Sequence, residues 1–417
     1  MLSGGWDGLW TPVSALACFL GALSAPSRAL AQGTTKPEVL EAVDPYTRGE
    51  PKALERAGYV TLTPVEWAEG IRTDEVKETL GGIDILWIET PHFRIGSTLE
   101  SYKSPSDPRE DDKVEAELAR LRKKLARYKD PHNKIDPWLR LHLYAQRLED
   151  VYADFEKSFG LSAADFPAAD ERKQPEGSKL GTGPYLGLQR KFTVLLVQKT
   201  SSLARFGQRY ANREERPWDR FPLPGGSMFL GVSWEGVRQF GFTLDATMHC
   251  VVAAEATQNF VNGFRDSWSA SPLWFECGVA HAAARKVDER FVPQAMPAPS
   301  PDDPDAWRWE PRVRGLVENN VEKSWLDMLG WKTWEDIKVQ GHLVAWSRAS
   351  WLLQKEPSAL KTYLLAVTEP LPEVEGDALA QATIEREKKA CLAAFGKPLD
   401  VLDAEWKKHV QRRYPKD

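Results

Sequence analysis

Two hydrophobic patterns follow one another along the chain. Short apolar runs of strand length occur at residues 84–90, 93–96, 192–197 and 227–234, and helical segments with apolar residues every three or four positions lie between them. Beyond residue 311 only the helical spacing continues. This order predicts an α+β fold, in which an N-terminal lobe of mixed strands and helices precedes an all-helical C-terminal lobe.

One helix of the N-terminal lobe is predicted in detail. Asp136 and Pro137 are typical of a helix start, and Gly160 is typical of a helix end. Between these positions the apolar residues form one stripe, which comprises Leu141, Tyr144, Leu148, Tyr152, Phe155 and Phe159. Such a stripe predicts that one face of the helix is buried in the core.

The first residues of the chain are typical of an export signal. A nearly continuous apolar stretch, Leu9–Ala25, is followed by an A-x-A cleavage site that ends at Ala31. Asp7 is the one charge ahead of the apolar stretch, where a basic residue is usual. The pattern predicts a signal peptide over residues 1–31 and export of the mature protein to the periplasm or the extracellular space.

Changes in composition divide the rest of the chain into segments. Residues 32–80 are polar and rich in turn-forming residues, which predicts an extended N-terminal arm. The segments that follow are an α+β lobe (81–240), a helix pair (241–290), a proline-rich loop (291–310) and a helical C-terminal lobe (311–417). No apolar run after residue 25 approaches the roughly 18 residues of a membrane-spanning helix, so we expect no stable membrane span in the mature chain.

Charge and cysteine content exclude two classes of protein. The chain has 55 basic and 60 acidic residues and a formal net charge of −5, so we expect no nucleic-acid partner held by charge attraction. Of the four cysteines, Cys18 lies in the predicted signal peptide, and Cys250, Cys277 and Cys391 remain. Three cysteines form at most one disulfide bond, which excludes a small disulfide-stapled scaffold.

The stretch from Thr243 to Lys286 carries the candidate chemistry. It contains HCVVA at residues 249–253 and PLWFECGVA at residues 272–280. Both segments resemble the gluzincins, zinc metallopeptidases of the peptidase MA-like fold, in which one helix carries H-E-x-x-H and a second carries P-x-W-[LF]-x-E-G-[LV]-A. Histidines at i and i+4 reach one ion from the same helix face, and the Glu of the second helix completes the ligand set.

The resemblance covers about residues 82–415 and implies a degenerate site within the gluzincin-like fold, whose helix pair lies beside an antiparallel edge strand. His249 stands at the first ligand position, and Cys250 replaces the general-base Glu. Ala253 and Cys277 replace the second and third ligands. Because hydrolysis needs both the base and the metal, the resemblance implies a non-catalytic pseudo-metallopeptidase with a binding or structural role. We expect no cofactor and no metal.

Two alternatives stay open at this site. Cys277 and His281 are four residues apart and share a helix face, so together with His249 they form an accepted set of zinc ligands. The alternative function is therefore a hydrolase that uses a non-standard His/Cys metal site. In an exported protein a disulfide bond between Cys250 and Cys277 is the other alternative, and it would replace the metal as the cross-link across the former cleft.

A binding role is expected along the former substrate cleft. In intact gluzincins the substrate backbone pairs with an edge strand, and the resemblance places that strand at residues 227–234. Its candidate contact residues are Ser227, Phe229, Gly231 and Ser233. The expected partner is an extended peptide or a cell-surface polymer.

Overall fold

The structure is a computed structural model, and it describes most of the chain that follows the predicted signal peptide. The described residues are 41–64, 66–103, 105, 107–166, 181, 183–240, 245–266, 271–290 and 303–416. The predicted signal peptide and residues 291–302 of the predicted proline-rich loop lie outside them. None of the helices within the described ranges combines the length and apolarity that a bilayer-spanning segment requires.

Within the described residues nine strands are present, all of them before residue 234. They are β1 (Glu66–Ala68), β2 (Ile71–Arg72), β3 (Leu86–Glu89), β4 (Phe93–Ser97), β5 (Tyr102–Lys103), β6 (Lys134–Ile135), β7 (Phe192–Val197), β8 (Trp218–Leu223) and β9 (Ser227–Ser233). Five of them form one mixed sheet in the order β3-β4-β7-β9-β8. Its inner strands β4, β7 and β9 are parallel to one another, and the two outer strands are antiparallel to their neighbours.

Helices pack against this sheet, and no strand follows β9 in the described part of the chain. They are α1 (Pro51–Ala57), α2 (Thr73–Thr79), α3 (Pro108–Lys124), α4 (Pro137–Phe159), α5 (Thr200–Ala211), α6 (Trp234–Arg238), α7 (Asp245–Gly263), α8 (Leu273–Val287), α9 (Trp309–Glu318), α10 (Trp325–Met328), α11 (Val339–Leu352), α12 (Pro357–Val367), α13 (Gly376–Phe395) and α14 (Leu399–Arg413). This arrangement confirms the predicted α+β class and its helical C-terminal region.

Helix α4 follows its local sequence closely. The Asp136 side chain accepts a hydrogen bond from the backbone N–H of Leu139, and Gly160 ends the helix with a left-handed backbone at φ 58°. All six residues of the predicted stripe are buried. They pack in a core cluster that also contains residues of α7, α8, α11 and α13, so the N-terminal and C-terminal regions share one hydrophobic core.

The segment predicted as an extended arm is folded where the structure describes it, and that prediction is wrong for residues 51–79. This stretch forms α1, β1, β2 and α2. Trp67 is fully buried, with its ring edge-on to Trp87 at 4.6 Å, and Val76 lies in the same cluster on one face of the main sheet. Burial of these apolar side chains offsets the conformational entropy that an ordered segment loses.

The strand predicted at the edge of the sheet is an inner strand. β9 pairs with β7 on one side and with β8 on the other, and all of its residues are buried. Ser227, Phe229, Gly231 and Ser233 are therefore not available to pair with a peptide. The reason is the Gly225-Gly226 turn, whose two positive φ angles fold β8 back onto β9.

Candidate metal centre

Helix α8 carries two potential metal ligands on one face. Cys277 and His281 are separated by one helical turn and lie towards α11. Between them, Gly278 leaves space for α11, because a Cβ atom at this position would lie 2.4 Å from the carbonyl oxygen of Ala345 and 2.6 Å from the Cβ of Ala349. The missing side chain lets the two helices approach closely enough for their side chains to meet.

The first turn of α11 supplies a third group. The Nδ1 atom of His342 lies 3.3 Å from the Sγ of Cys277 and 2.9 Å from the Nε2 of His281. One ligand atom from each of the three residues lies within 4.8 Å of the others. The structure therefore contains a possible metal site built from one thiol and two imidazoles.

The site is enclosed by apolar side chains. Cys277, His281 and His342 are 0%, 2% and 8% exposed. The side chains packed around the thiol are Leu273, Trp331, Ile337 and Ala345. The ring of Trp309 meets His281 edge-on, with the ring centroids 5.3 Å apart. An ion held here would be shielded from solvent on most sides.

Burial also decides the protonation of the three groups. It raises the pKa of the Cys277 thiol well above its ordinary value and lowers the pKa of His342 to about 4. Burial, with the neighbouring His342 and Arg285, lowers the pKa of His281 well below its ordinary value. Without a metal all three groups are neutral at pH 7, and metal binding would require the thiol to release its proton.

His249 does not belong to this cluster. Its Nδ1 atom lies 3.9 Å from the Oε1 of Glu117, on α3, and has no hydrogen-bond partner among the described residues. Its ring lines a cavity together with Val279 and Ala282 of α8, which point away from the Cys277 face of that helix. The predicted set of His249, Cys277 and His281 is therefore wrong in its first member, whose place His342 takes.

The predicted disulfide bond is also absent. Cys250, Cys277 and Cys391 are free, and these are all the cysteines in the described part of the chain. The thiol of Cys250 donates to the backbone carbonyl of Asp288 at 3.5 Å, whereas the thiol of Cys277 faces His342. Ala253 is fully buried and offers only a methyl group. Positions 249, 253 and 277 therefore do not converge on one former metal position.

Two buried carboxylates, one on α7 and one on α8, accept hydrogen bonds from an arginine of β8. Arg220 donates from Nε to Glu255 at 2.6 Å and from Nη2 to Glu276 at 3.0 Å. Asn262 donates to the same oxygen of Glu276 at 3.0 Å, and burial raises the pKa of Glu276. These groups form a structural link between the sheet edge and helices α7 and α8.

Sequence reasoning missed His342 because no local spacing identifies it. It lies 61 residues from His281 and 65 from Cys277 along the chain. The apolar residues of its own helix share a face, which is typical of a helix that packs in the core. The informative signal was Gly278, since a glycine inside a helix is typical of a close approach by another element. The approaching element itself becomes known only from the fold.

Comparison with known protein families finds no family that matches this chain, and comparison with curated proteins finds no match either. The resemblance to gluzincins consequently stays a prediction that rests on the motifs alone.

Proposed function

We propose that this chain is a non-catalytic metal-binding protein in which Cys277, His281 and His342 hold a zinc ion between α8 and α11. The observation that carries the proposal is the placement of one ligand atom from each residue within 4.8 Å of the others. Thiolate sulfur and imidazole nitrogen are among the ligand types that bind zinc in proteins. In this account the ion cross-links two helices of the shared core, and its role is structural.

The separations of the three atoms support this assignment. Ligands about 2.3 Å (sulfur) and 2.0 Å (nitrogen) from a tetrahedral zinc ion lie roughly 3.3–3.6 Å from one another. The sulfur–nitrogen distance between Cys277 and His342 is 3.3 Å, and the nitrogen–nitrogen distance between His281 and His342 is 2.9 Å. The third pair, Cys277 and His281, lies within 4.8 Å, so small side-chain shifts would admit the ion.

The surroundings favour a structural role over hydrolysis. Three protein ligands leave one coordination position of a tetrahedral zinc ion open, but hydrolysis also needs substrate to reach that position and a group that deprotonates the bound water. Here the ligands are almost completely buried, and the nearby carboxylate of Glu276 accepts hydrogen bonds from Arg220 and Asn262. Cys250, at the position of the general base, is a buried thiol.

The proposal includes export and a gluzincin-like origin. Export is supported by the apolar stretch and the A-x-A site that ends at Ala31. The origin is supported by a paired α7 and α8 beside a mixed sheet whose outer strand β8 is antiparallel. The zinc site would then lie at a different place from the site of the gluzincins, because His249, at their first ligand position, lies near Glu117 and not near Cys277.

Metal analysis of the purified, untagged protein tests the proposal. We expect about one zinc ion per chain after incubation with zinc and desalting, and loss of this zinc in Cys277→Ala and in His342→Ala. Cys391→Ala is the matched control, because Cys391 is also a buried, free cysteine but lies on α13. Equal zinc content in Cys277→Ala and Cys391→Ala would refute the assignment, as would a wild-type protein that takes up no zinc. Zinc-dependent cleavage of a casein substrate, lost in Cys277→Ala, would instead favour the hydrolase.

A further inference from the structure

A cavity of about 470 Å³ lies among α3, α4, α7 and α8, on the opposite side of α8 from the candidate metal centre. Much of its wall is apolar, formed by Val151, Phe155, Phe159, Val279, Val287 and Leu353. Pockets of 300–1,000 Å³ with mostly apolar walls and a few polar groups are typical binding sites for small molecules. The cavity therefore has the size and lining of a ligand site.

The charged side chains that line the cavity already have partners. Each of the four basic groups donates to an acceptor: Lys113 to the carbonyl of Val287, Arg120 to Asp150, Arg147 to Glu117 and Lys286 to Asp154. The Arg120 and Arg147 pairs each contain two hydrogen bonds. An ionic ligand would have to compete with these pairs, whereas an uncharged ligand leaves them intact.

His249 is a buried polar residue of this cavity that has an unused hydrogen-bonding atom. Its side chain is 6% exposed, and its Nδ1 atom has no hydrogen-bond partner among the described residues. Burial, together with the positive charges of Arg147, Lys113 and Arg120, lowers its pKa well below the ordinary value. The ring is therefore neutral, and a neutral imidazole donates one hydrogen bond and accepts another. Keeping such a ring in a buried position is unfavourable for stability, which indicates a role other than packing.

We propose that this cavity binds an uncharged, largely apolar small molecule whose single hydrogen-bonding group meets the imidazole of His249. The apolar body would lie against the side chains of α4 and α8, and the ion pairs would remain intact. This site is separate from the candidate metal centre, so a failure of the zinc assignment would leave this proposal unaffected. A cavity of this volume lined by four helices also suits a compact molecule better than the extended polypeptide expected from the sequence.

Two fluorescent probes with the same ring system test the proposal. N-phenylnaphthylamine is uncharged and has one N–H group, whereas anilinonaphthalene sulfonate adds a negative charge. We expect saturable fluorescence enhancement of the uncharged probe by the wild-type protein, with an affinity at least about tenfold higher than that of the sulfonate. No saturable binding of the uncharged probe, or equal or tighter binding of the sulfonate, would overturn the proposal.

Matched variants locate the bound probe. Ala283→Phe places a ring in the cavity from a half-buried position of α8, and Ala382→Phe makes the same change at a half-buried position of α13. We expect Ala283→Phe to weaken probe binding at least about tenfold and Ala382→Phe to leave it unchanged. Equal binding by the two variants would place the probe elsewhere and contradict the proposal.

His249→Leu provides a second test that does not depend on the folding of Ala283→Phe. Leucine has a side chain of similar length that is apolar, so the variant lacks the hydrogen-bonding group. We expect the variant to unfold at a temperature at least as high as the wild type does, and to bind the uncharged probe more weakly. A folded His249→Leu protein with undiminished probe affinity would exclude His249 as the recognition group.

Discussion

The Cys277 thiol lies among Leu273, Ile337 and Ala345, which offer nothing that stabilises a negative charge. For this reason the pKa of the thiol is well above its ordinary value. A bound cation reverses the situation, since it stabilises the thiolate directly and the apolar surroundings then strengthen the attraction. The burial that makes Cys277 unreactive as a nucleophile is thus compatible with a role as a metal ligand.

The protonation of a single buried residue, Glu387, allows a prediction about stability. Burial raises its pKa from 4.5 to about 7, and its Oε1 atom accepts hydrogen bonds from Tyr363 and Trp325. Below about pH 4.5 the folded and unfolded states both hold the proton. As the pH rises towards 7 the unfolded state releases it first, so the free energy of unfolding falls by about 3 kcal/mol across this window and then levels off.

The variant Glu387→Gln removes this titration. We expect the difference in the free energy of unfolding, variant minus wild type, to increase by about 3 kcal/mol between pH 4.5 and 7. Urea denaturation at a series of pH values measures it, and a constant offset caused by the amide group does not affect the slope. A difference that is independent of pH would show that Glu387 does not hold its proton in the folded state.

Individual site residues were predictable only where chemistry and spacing are local. Cys277 and His281 share a helix face by their i, i+4 spacing, and the structure places them together. The partner of that pair depends on which helix crosses α8, and this information is spread over more than 60 residues of chain. The motif alignment therefore selected His249, a residue that the fold turns towards Glu117.

At the scale of elements, the contact between α8 and α11 depends on Gly278. An alanine at this position would place its Cβ 2.4 Å from the carbonyl oxygen of Ala345, so the helices would have to separate. We expect Gly278→Ala to lower the free energy of unfolding by about 1–3 kcal/mol and to weaken zinc binding, because His342 would move away from Cys277. Denaturant unfolding and a competition assay with a chromophoric chelator measure the two effects.

Gly315→Ala is the matched control for this prediction. Gly315 lies inside α9, and a Cβ added there meets no other atom within 4 Å. The change should raise the free energy of unfolding by about 0.5–1 kcal/mol through helix propensity and leave zinc binding unaltered. If both variants bind zinc as the wild type does, close packing at Gly278 is not required for the site.

Elements with strong local signals were the predictable ones. Helix α4 has its capping residue, its apolar stripe and its terminal glycine in sequence order, and the structure confirms each of them. β8 gave a weak signal because Pro222 lies within it, and proline is unfavourable in most strands. The edge position of the following strand, and the partner peptide expected there, came from the resemblance to gluzincins, and no predicted β8 contradicted it.

At the scale of the whole molecule, one core cluster extends from Tyr46 near the start of the described residues to Val410 in the last helix. Trp274 and Phe275 of α8 pack against Trp325 and Tyr363 of the C-terminal region. The α+β region and the helical region consequently stabilise each other through the same helix. The candidate metal centre lies at this junction, between α8 and α11.

Thermal unfolding tests this shared core. We expect one transition that coincides in circular dichroism and tryptophan fluorescence, since neither region completes its core alone. Zinc at a hundredfold excess over its dissociation constant should stabilise the folded state by about 2.7 kcal/mol and raise the midpoint temperature. Cys277→Ala should show no such increase. Two separate transitions would indicate that the regions fold independently, contrary to this account.

X-ray absorption spectroscopy at the zinc edge of the zinc-loaded protein tests the central claim most directly. The account predicts one sulfur ligand at about 2.3 Å and nitrogen ligands at about 2.0 Å, with the outer-shell scattering of two imidazole rings. The sulfur contribution should disappear in Cys277→Ala and persist in Cys391→Ala. A zinc shell of oxygen and nitrogen without sulfur would contradict a metal centre at Cys277, His281 and His342.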